Sequence, residues 1–152
     1  PFTTEELDLT EIARDAVADA RATEPGRQVL IKVGPGAMTV HGDADRFRQV
    51  VTNLLGNVRR HTEPETPATV SVDRDGDWVV LAVADQGPGM EPEAARQAFD
   101  RFFQGNPDRS TPGSGLGLAI VRSIVERHRG TVALDSTPGE GTTVRLRIPA
   151  AA

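Results

Sequence analysis

Asp43-Ala44-Asp45-Arg46-Phe47-Arg48-Gln49-Val50-Val51-Thr52-Asn53-Leu54-Leu55-Gly56-Asn57-Val58-Arg59-Arg60-His61-Thr62 carries two stripes at once. Phe47, Val50, Val51, Leu54, Leu55 and Val58 recur at helical spacing, an apolar face that must lie against a core. Gln49, Asn53, Asn57 and Arg60 form a polar stripe beside it, projecting from one side of the same helix. Asp43 opens the helix, and the segment containing Pro64 and Pro67 ends it near Thr62. Mid-helix asparagine is a poor helix former, so Asn53 and Asn57 one turn apart ask for a use. One reading is a solvated face. The other is a hard-metal site, because an amide oxygen suits Mg²⁺, which takes few protein ligands and completes its shell with phosphates and water.

Working outward, Asp8 caps a first helix by accepting from the amide three residues on, with Glu11 reaching back and Leu7 stapled onto Ile12. Leu9, Ile12, Ala13, Ala16, Val17 and Ala20 repeat at helical spacing until Pro25-Gly26. Short strands are expected at 29–33 and 38–40. Two more, 69–72 and 78–84, flank the hairpin signal Asp75-Gly76. A short helix at 91–98 leads to Phe99-Asp100-Arg101-Phe102-Phe103, and 104–114 has no periodicity and reads as a mobile loop. A helix from about Leu116 to His128 and strands at 131–134 and 143–148 complete the chain. Helices and strands mix without strict alternation and hairpins are present, which favours a two-layer α/β sandwich over a doubly wound sheet.

The 152 residues suit a single domain, with 38% hydrophobic and 26% charged residues as in ordinary globular chains. The absence of cysteine excludes a disulfide framework, a Cys₄ zinc site and a thiol nucleophile, and fits a reducing compartment. A formal net charge of −5 argues against nucleic acid as a partner, since a phosphate backbone needs a basic face. No apolar run approaches the roughly 20 residues of a membrane span. The only lysine, Lys32, stands outside any G-x-x-x-x-G-K-[ST] run, which excludes a P-loop.

Two glycine patterns carry further chemistry. Asp85-Gln86-Gly87-Pro88-Gly89 closes a strand. It is either a tight turn or a base-recognition corner, where an ionised Asp85 accepts from the exocyclic amine of adenine and Gly87 and Gly89 let a flat ring approach the backbone. Gly113-Ser114-Gly115-Leu116-Gly117 opens a helix, as a hinge or as a phosphate cradle of free amides. It lacks the G-x-G-x-x-G spacing and follows a loop, so a dinucleotide-binding reading fails.

Taken in order, Asn-x-x-x-Asn on a helix, Asp-x-Gly-x-Gly after a strand, Phe-x-Arg-Phe, and Gly-x-Gly-x-Gly opening a helix resemble the catalytic and ATP-binding domain of bacterial sensor histidine kinases. That family is a branch of the superfamily that also holds gyrase B, Hsp90 and MutL. The likeness runs from about Leu9 to Pro149, through an N box (45–62), a G1 box (85–89), an F box (99–103) and a G2 box (113–117), to a last turn at 136–142. It implies the Bergerat ATP-binding fold: a mixed β-sheet with three helices on one face and a mobile ATP lid, here 104–114.

Carried over by position, the resemblance implies that Asn57 ligates Mg²⁺ and Asn53 supports that site. Arg60 and His61 match positions that approach the phosphates. Asp85 would accept from adenine, with Gly87 and Gly89 beside it and Thr142 near the same pocket. Gly113, Gly115, Leu116 and Gly117 would edge the lid and phosphates. Phe99 and Phe102 would anchor the lid, leaving Arg101 for phosphate or partner contacts, so that Asn57, Arg60 and Arg101 form the catalytic group. Two departures stand out: Val58 where alanine is usual, and Arg129-Gly130 in place of a common Gly-Gly.

The implied reaction moves the γ-phosphoryl group of Mg-ATP to a histidine followed by an acidic residue on a separate helical dimerisation domain, and from there to a response regulator. His41, His61 and His128 have no such context. The chain, which begins at Pro1, is therefore expected to be the C-terminal ATP-binding part of a larger sensor kinase. It is expected to be monomeric by itself and cytoplasmic, with the full-length protein anchored in the plasma membrane. The rival is an ATPase clamp of the gyrase or MutL kind. Those enzymes place a glutamate, the general base, where this chain has Asn53. An anti-sigma serine kinase and a nucleotide-binding pseudokinase are further alternatives; the missing start methionine and the F box argue against the first, intact boxes against the second.

Overall fold

A computed structural model describes residues 3–99 and 116–151. The chain runs β1 (Glu5–Asp8), α1 (Leu9–Thr23), β2 (Val29–Val33), β3 (Thr39–Gly42), α2 (Ala44–His61), β4 (Ala68–Asp75), β5 (Trp78–Asp85), α3 (Pro92–Arg96), α4 (Leu116–Arg127), β6 (Thr131–Thr137) and β7 (Gly141–Pro149). Five strands form one mixed sheet in the order β2-β4-β5-β7-β6. β2 runs parallel to β4 and the remaining pairs are antiparallel.

Strand alternation assigns the faces. Val70 and Val72 of β4, Val79, Leu81 and Val83 of β5, and Val144, Leu146 and Ile148 of β7 are all buried and mutually in register. Helices α1, α2 and α4 cover this face, α2 between the other two. All six residues of the α2 apolar stripe are buried, none more than 6% exposed. Burying a large aliphatic side chain contributes roughly 1.5–3 kcal/mol, against about 0.7 kcal/mol for an unfavourable helix residue. The stripe therefore holds α2 helical despite Asn53, Gly56 and Asn57. Val58 belongs to that stripe at 5% exposure.

The N-caps of α1 and α2 are both aspartates. Asp43 accepts from Arg46 N at 3.2 Å, whereas Asp8 accepts from Thr10 N at 2.8 Å, one residue earlier than the spacing alone suggests. β1, which no alternation announces, pairs antiparallel with β3 in a separate two-stranded sheet. Helix α4 ends in a Schellman motif: Gly130 N bonds Val125 O and Arg129 N bonds Glu126 O, each at 3.0 Å. Arg129 takes the left-handed position, φ 65°, where glycine is usual, a conformation that costs a side-chain-bearing residue about 1–2 kcal/mol. Its neighbour must be glycine, because a Cβ on Gly130 would lie 2.4 Å from Arg147 O.

His128, the C-cap, ties the far ends of α2 and α4 together. Its Nε2 accepts from Asp43 N at 3.0 Å, so Nδ1 carries the proton and donates to Ile124 O at 2.8 Å. The ring lies against Phe47 at a centroid distance of 4.2 Å. Burial holds the imidazole below its ordinary value, with Arg127 adding to the effect and the Ile124 carbonyl and Asp43 opposing it. A depressed folded-state value means the unfolded chain binds the proton more readily, so the stabilisation is present above about pH 6.5 and lost as pH falls below it. Denaturant melts should show stability falling between pH 7 and pH 5. His128→Gln should cost about 1–3 kcal/mol at pH 7 and reduce that dependence, to which His61 also contributes; an unchanged slope would remove His128 as a source.

Candidate functional site

The helix-covered face of the sheet is apolar until its last row. In register with the buried valines, Asp85 of β5 stands beside Thr142 of β7, and Thr142 beside Ser136 of β6. Three polar residues thus replace the core at one end of the sheet, below the C-terminal half of α2. Ser136 Oγ lies 2.7 Å from Thr142 Oγ1 and accepts from Met90 N at 2.8 Å.

The turn after β5 folds back onto this row. Gly87 N donates to Asp85 Oδ1 at 2.9 Å, fixing the carboxylate. Gly89, φ 72°, packs so closely on the β6–β7 turn that a Cβ would meet Thr137 O at 2.1 Å. Gly141, φ 114°, approaches Asp85 O equally closely, and Gly139 N bonds Pro88 O at 2.7 Å. The 85–89 turn and the 136–142 turn are therefore one structural unit, which brings Thr142 to Asp85 although the two are distant in sequence. With Oδ1 held by Gly87, the second carboxylate oxygen can accept from an external donor.

On α2, Asn53 and Asn57 are half-buried on the face beside this corner. Arg60 Nη2 donates to Asn57 Oδ1 at 2.8 Å. Gly56 leaves room for that arrangement, since a Cβ there would sit 3.2 Å from Arg60 Nη1. Gly117, in the first turn of α4, is buried against the same group: a Cβ on it would lie 3.5 Å from Asn57 Oδ1. The start of α4 thus lies against the polar stripe of α2, and a helix N-terminus is an arrangement that favours anions. Arg59, Arg60 and His61 add positive charge in the last turn of α2. Burial, then Arg59, pull the Arg60 guanidinium below its ordinary value. Desolvation and then Arg60 hold the His61 imidazole below its ordinary value, with Asp85 pulling the other way, which puts His61 between Arg60 and Asp85.

No group of three His, Cys, Asp or Glu side chains able to cage a metal exists among the described residues. The donor set around Asn57 is one neutral amide oxygen, which accepts from Arg60, beside basic neighbours. It fits a hard cation that keeps waters and takes its other ligands from a phosphate chain.

Asn53, Asn57, Arg60, His61, Asp85, Gly87, Gly89, Gly117 and Thr142 thus gather around one end of the α2–α4 layer. Phe99 is partly buried against the core with Arg122 Cζ 5.9 Å from its ring centroid. Arg101, Phe102, Gly113, Gly115 and the 104–114 segment lie outside the described residues, as does the side chain of Leu116. Ser136 and Thr62 border this corner inside the 136–142 turn and the 45–62 box, and Arg27, outside every box, contacts Thr62; none of the three stood out as a candidate side chain. Ser136 and Thr142 both fall in the expected 136–142 turn, and strand register makes them neighbours of Asp85. Arg27 is a lone basic residue after a Pro-Gly turn, and no local pattern marks it.

Residues 42–152 match the family described as histidine kinase-, DNA gyrase B-, and HSP90-like ATPase. The probable sensor histidine kinase TcrY of Mycobacterium tuberculosis is 41% identical over 145 residues, covering 94% of this chain and 30% of that protein. Among solved structures, the mycobacterial sensor histidine kinase MprB superposes with a TM-score of 0.82 at 30% identity, covering 97% of both chains. The catalytic domain of histidine kinase ThkA reaches 0.86 at 23% identity over 99% of each, a likeness of fold. The chain spans under a third of the length of the curated relative TcrY.

Proposed function

The chain belongs to the histidine kinase-, DNA gyrase B-, and HSP90-like ATPase family, and from that premise we propose that it binds Mg-ATP between α2, the 85–89 turn and the start of α4. In this reading it donates the γ-phosphoryl group to a histidine on a separate helical domain, which passes it to a response regulator. The observation that carries the reading is the convergence of Asp85, Thr142, Asn57 and the α4 N-terminus, drawn from four separate segments.

Each group has a role that follows from its chemistry. Asp85 accepts from the adenine amine, and Thr142 lines the same corner. The backbone at Gly87 and Gly89 leaves a flat ring room to approach. Asn57 offers the metal ligand, Asn53 supports it, and Arg60 turns from Asn57 toward the phosphates. Mg²⁺, held by Asn57 with Asn53 in support, would supply neutralisation of the phosphate charge. Phosphoryl transfer needs positioning and charge stabilisation more than covalent help, and these groups are of that kind. Arg101, Gly113, Gly115 and Leu116 belong to the proposed phosphate side by family resemblance.

Two features favour transfer to a separate domain over hydrolysis or self-labelling. Asn53 cannot act as a general base for water. His128 has both ring nitrogens engaged and is buried, which removes it as an acceptor. Incubated with Mg²⁺ and γ-labelled ATP, the chain should not label itself. It should label a helical domain carrying a histidine followed by an acidic residue, when that domain comes from the same sensor kinase. Steady ATP hydrolysis by the chain alone, or stable label on His41 or His61, would reverse the reading. Among the described residues no helix is long and apolar enough to cross a membrane, so any anchoring is proposed for other parts of the full-length kinase.

A further inference from the structure

We infer that Arg27 is a positioning residue for the base-recognition corner, acting through Thr62 and Gly87; the inference rests on the nucleotide site proposed above. Arg27 lies between α1 and β2, outside every motif of the resemblance, yet is only 5% exposed. A guanidinium is rarely buried unless its donors are matched. Here they are matched to three segments. Nε donates to Glu24 Oε1 at 2.7 Å, with Nη2 3.4 Å from Oε2, and Glu24 is the C-cap of α1. Nη1 donates to Thr62 Oγ1 at 2.7 Å, and Thr62 is the C-cap of α2. Nη1 also donates to Thr66 O at 2.7 Å, in the connection to β4.

The bond to Thr62 sets a rotamer. The Thr62 hydroxyl donates its one proton to Val58 O at 2.6 Å, so its lone pairs must receive Arg27. With Oγ1 held on both sides, the methyl group faces Gly87: a Cβ on Gly87 would lie 2.5 Å from Thr62 Cγ2. Gly87 in turn donates its amide to Asp85 Oδ1. Arg27 thus fixes the threonine, the threonine methyl seats the turn, and the turn amide aims the carboxylate. Sites of this kind lose function when the groups supporting the contacting residue are loosened, even though those groups never touch ligand.

The alternative is that Arg27 merely ties α1 to α2. The two differ in what Thr62 does, because Thr62→Ser keeps the hydroxyl for Arg27 and removes only the methyl that meets Gly87. Calorimetric ATP titrations well below the melting temperature should give a Kd about 10-fold weaker for Arg27→Met and several-fold weaker for Thr62→Ser. The double variant should be little worse than Arg27→Met alone, since both act along one chain of contacts. The Gly87 amide resonance of the nucleotide-free protein should shift in both single variants. If Arg27→Met does not fold, Thr62→Ser carries the test by itself. Unchanged Kd and an unmoved Gly87 resonance, with only the melting temperature lowered, would overturn the inference and leave the site reading intact. Wild-type protein that binds no nucleotide would overturn the site reading instead, and the Gly87 resonance would still decide whether Arg27 reaches the corner.

Discussion

Asp85→Asn should lose ATP and ADP binding by at least about 100-fold while the nucleotide-free protein melts close to wild type. The exchange is nearly isosteric, so the argument rests on hydrogen-bond direction. Asp85 Oδ1 already accepts from Gly87 N at 2.9 Å. An adenine amine would need a second acceptor, and a carboxylate has one in Oδ2. Asparagine has a single acceptor oxygen. Whichever way its amide is turned, one of the two donors, Gly87 N–H or the adenine amine, faces an NH₂ group. A lost bond to a charged group costs about 1.5–3 kcal/mol, and opposed donors add to it. The Gly87 amide sits on a half-buried turn whose remaining contacts, Gly139 N to Pro88 O and Met90 N to Ser136 Oγ, are untouched. The fold should therefore tolerate the change. Thermal shift would show this directly: ATP should raise the wild-type melting temperature by mass action and leave the variant unmoved. Equal affinity in the two proteins would show that Asp85 does not read the base.

Asn57→Ala should separate metal from base. Affinity for nucleotide without Mg²⁺ should change little, because the Asp85 corner is intact. The gain in affinity on adding Mg²⁺ should disappear, and transfer to an acceptor domain should fall by about 100-fold or more, the scale seen when a preorganised charge-stabilising group is removed. The variant should melt no lower than wild type. Alanine is the better helix former by roughly 0.7 kcal/mol, which offsets the lost Arg60–Asn57 bond, an exposed one. A site residue whose removal leaves the fold as stable or more so is kept for function rather than packing. Mg²⁺ dependence that survived Asn57→Ala would move the metal site elsewhere. Loss of all nucleotide binding would mean instead that Asn57 organises the whole cleft.

Much of this molecule is local and was legible as such. The two stripes of α2 follow from the 3.6-residue period alone, and the structure buries one stripe and leaves the other half-open, as that period requires. The Asp75-Gly76 hairpin, the two aspartate caps and the ends of α1, α2 and α4 are likewise written in a few consecutive residues. The candidate residues Asp85, Gly87 and Gly89 stood out because glycines after a strand end are a local anomaly. β1 escaped notice for the complementary reason: Glu5-Glu6-Leu7-Asp8 has no alternation, and its pairing with β3 uses backbone groups that every residue carries.

By itself, the sequence determined which faces are apolar, where helices start and stop, and which side chains could bind a metal, a base or a phosphate. Those properties depend on neighbours within a turn or two, where the backbone fixes the geometry. Tertiary structure alone decided which segments meet. The strand order β2-β4-β5-β7-β6 sets Thr142 and Ser136 beside Asp85, and packing of α4 on α2 brings Gly117 to Asn57. Arg27 and His128 show the same division most plainly. Each is an ordinary surface-type residue in the sequence, and each becomes a buried tie because it must satisfy groups on other elements once the core has closed. Periodicity records that a face is to be buried; only the closing of the sheet and its three helices specifies against what.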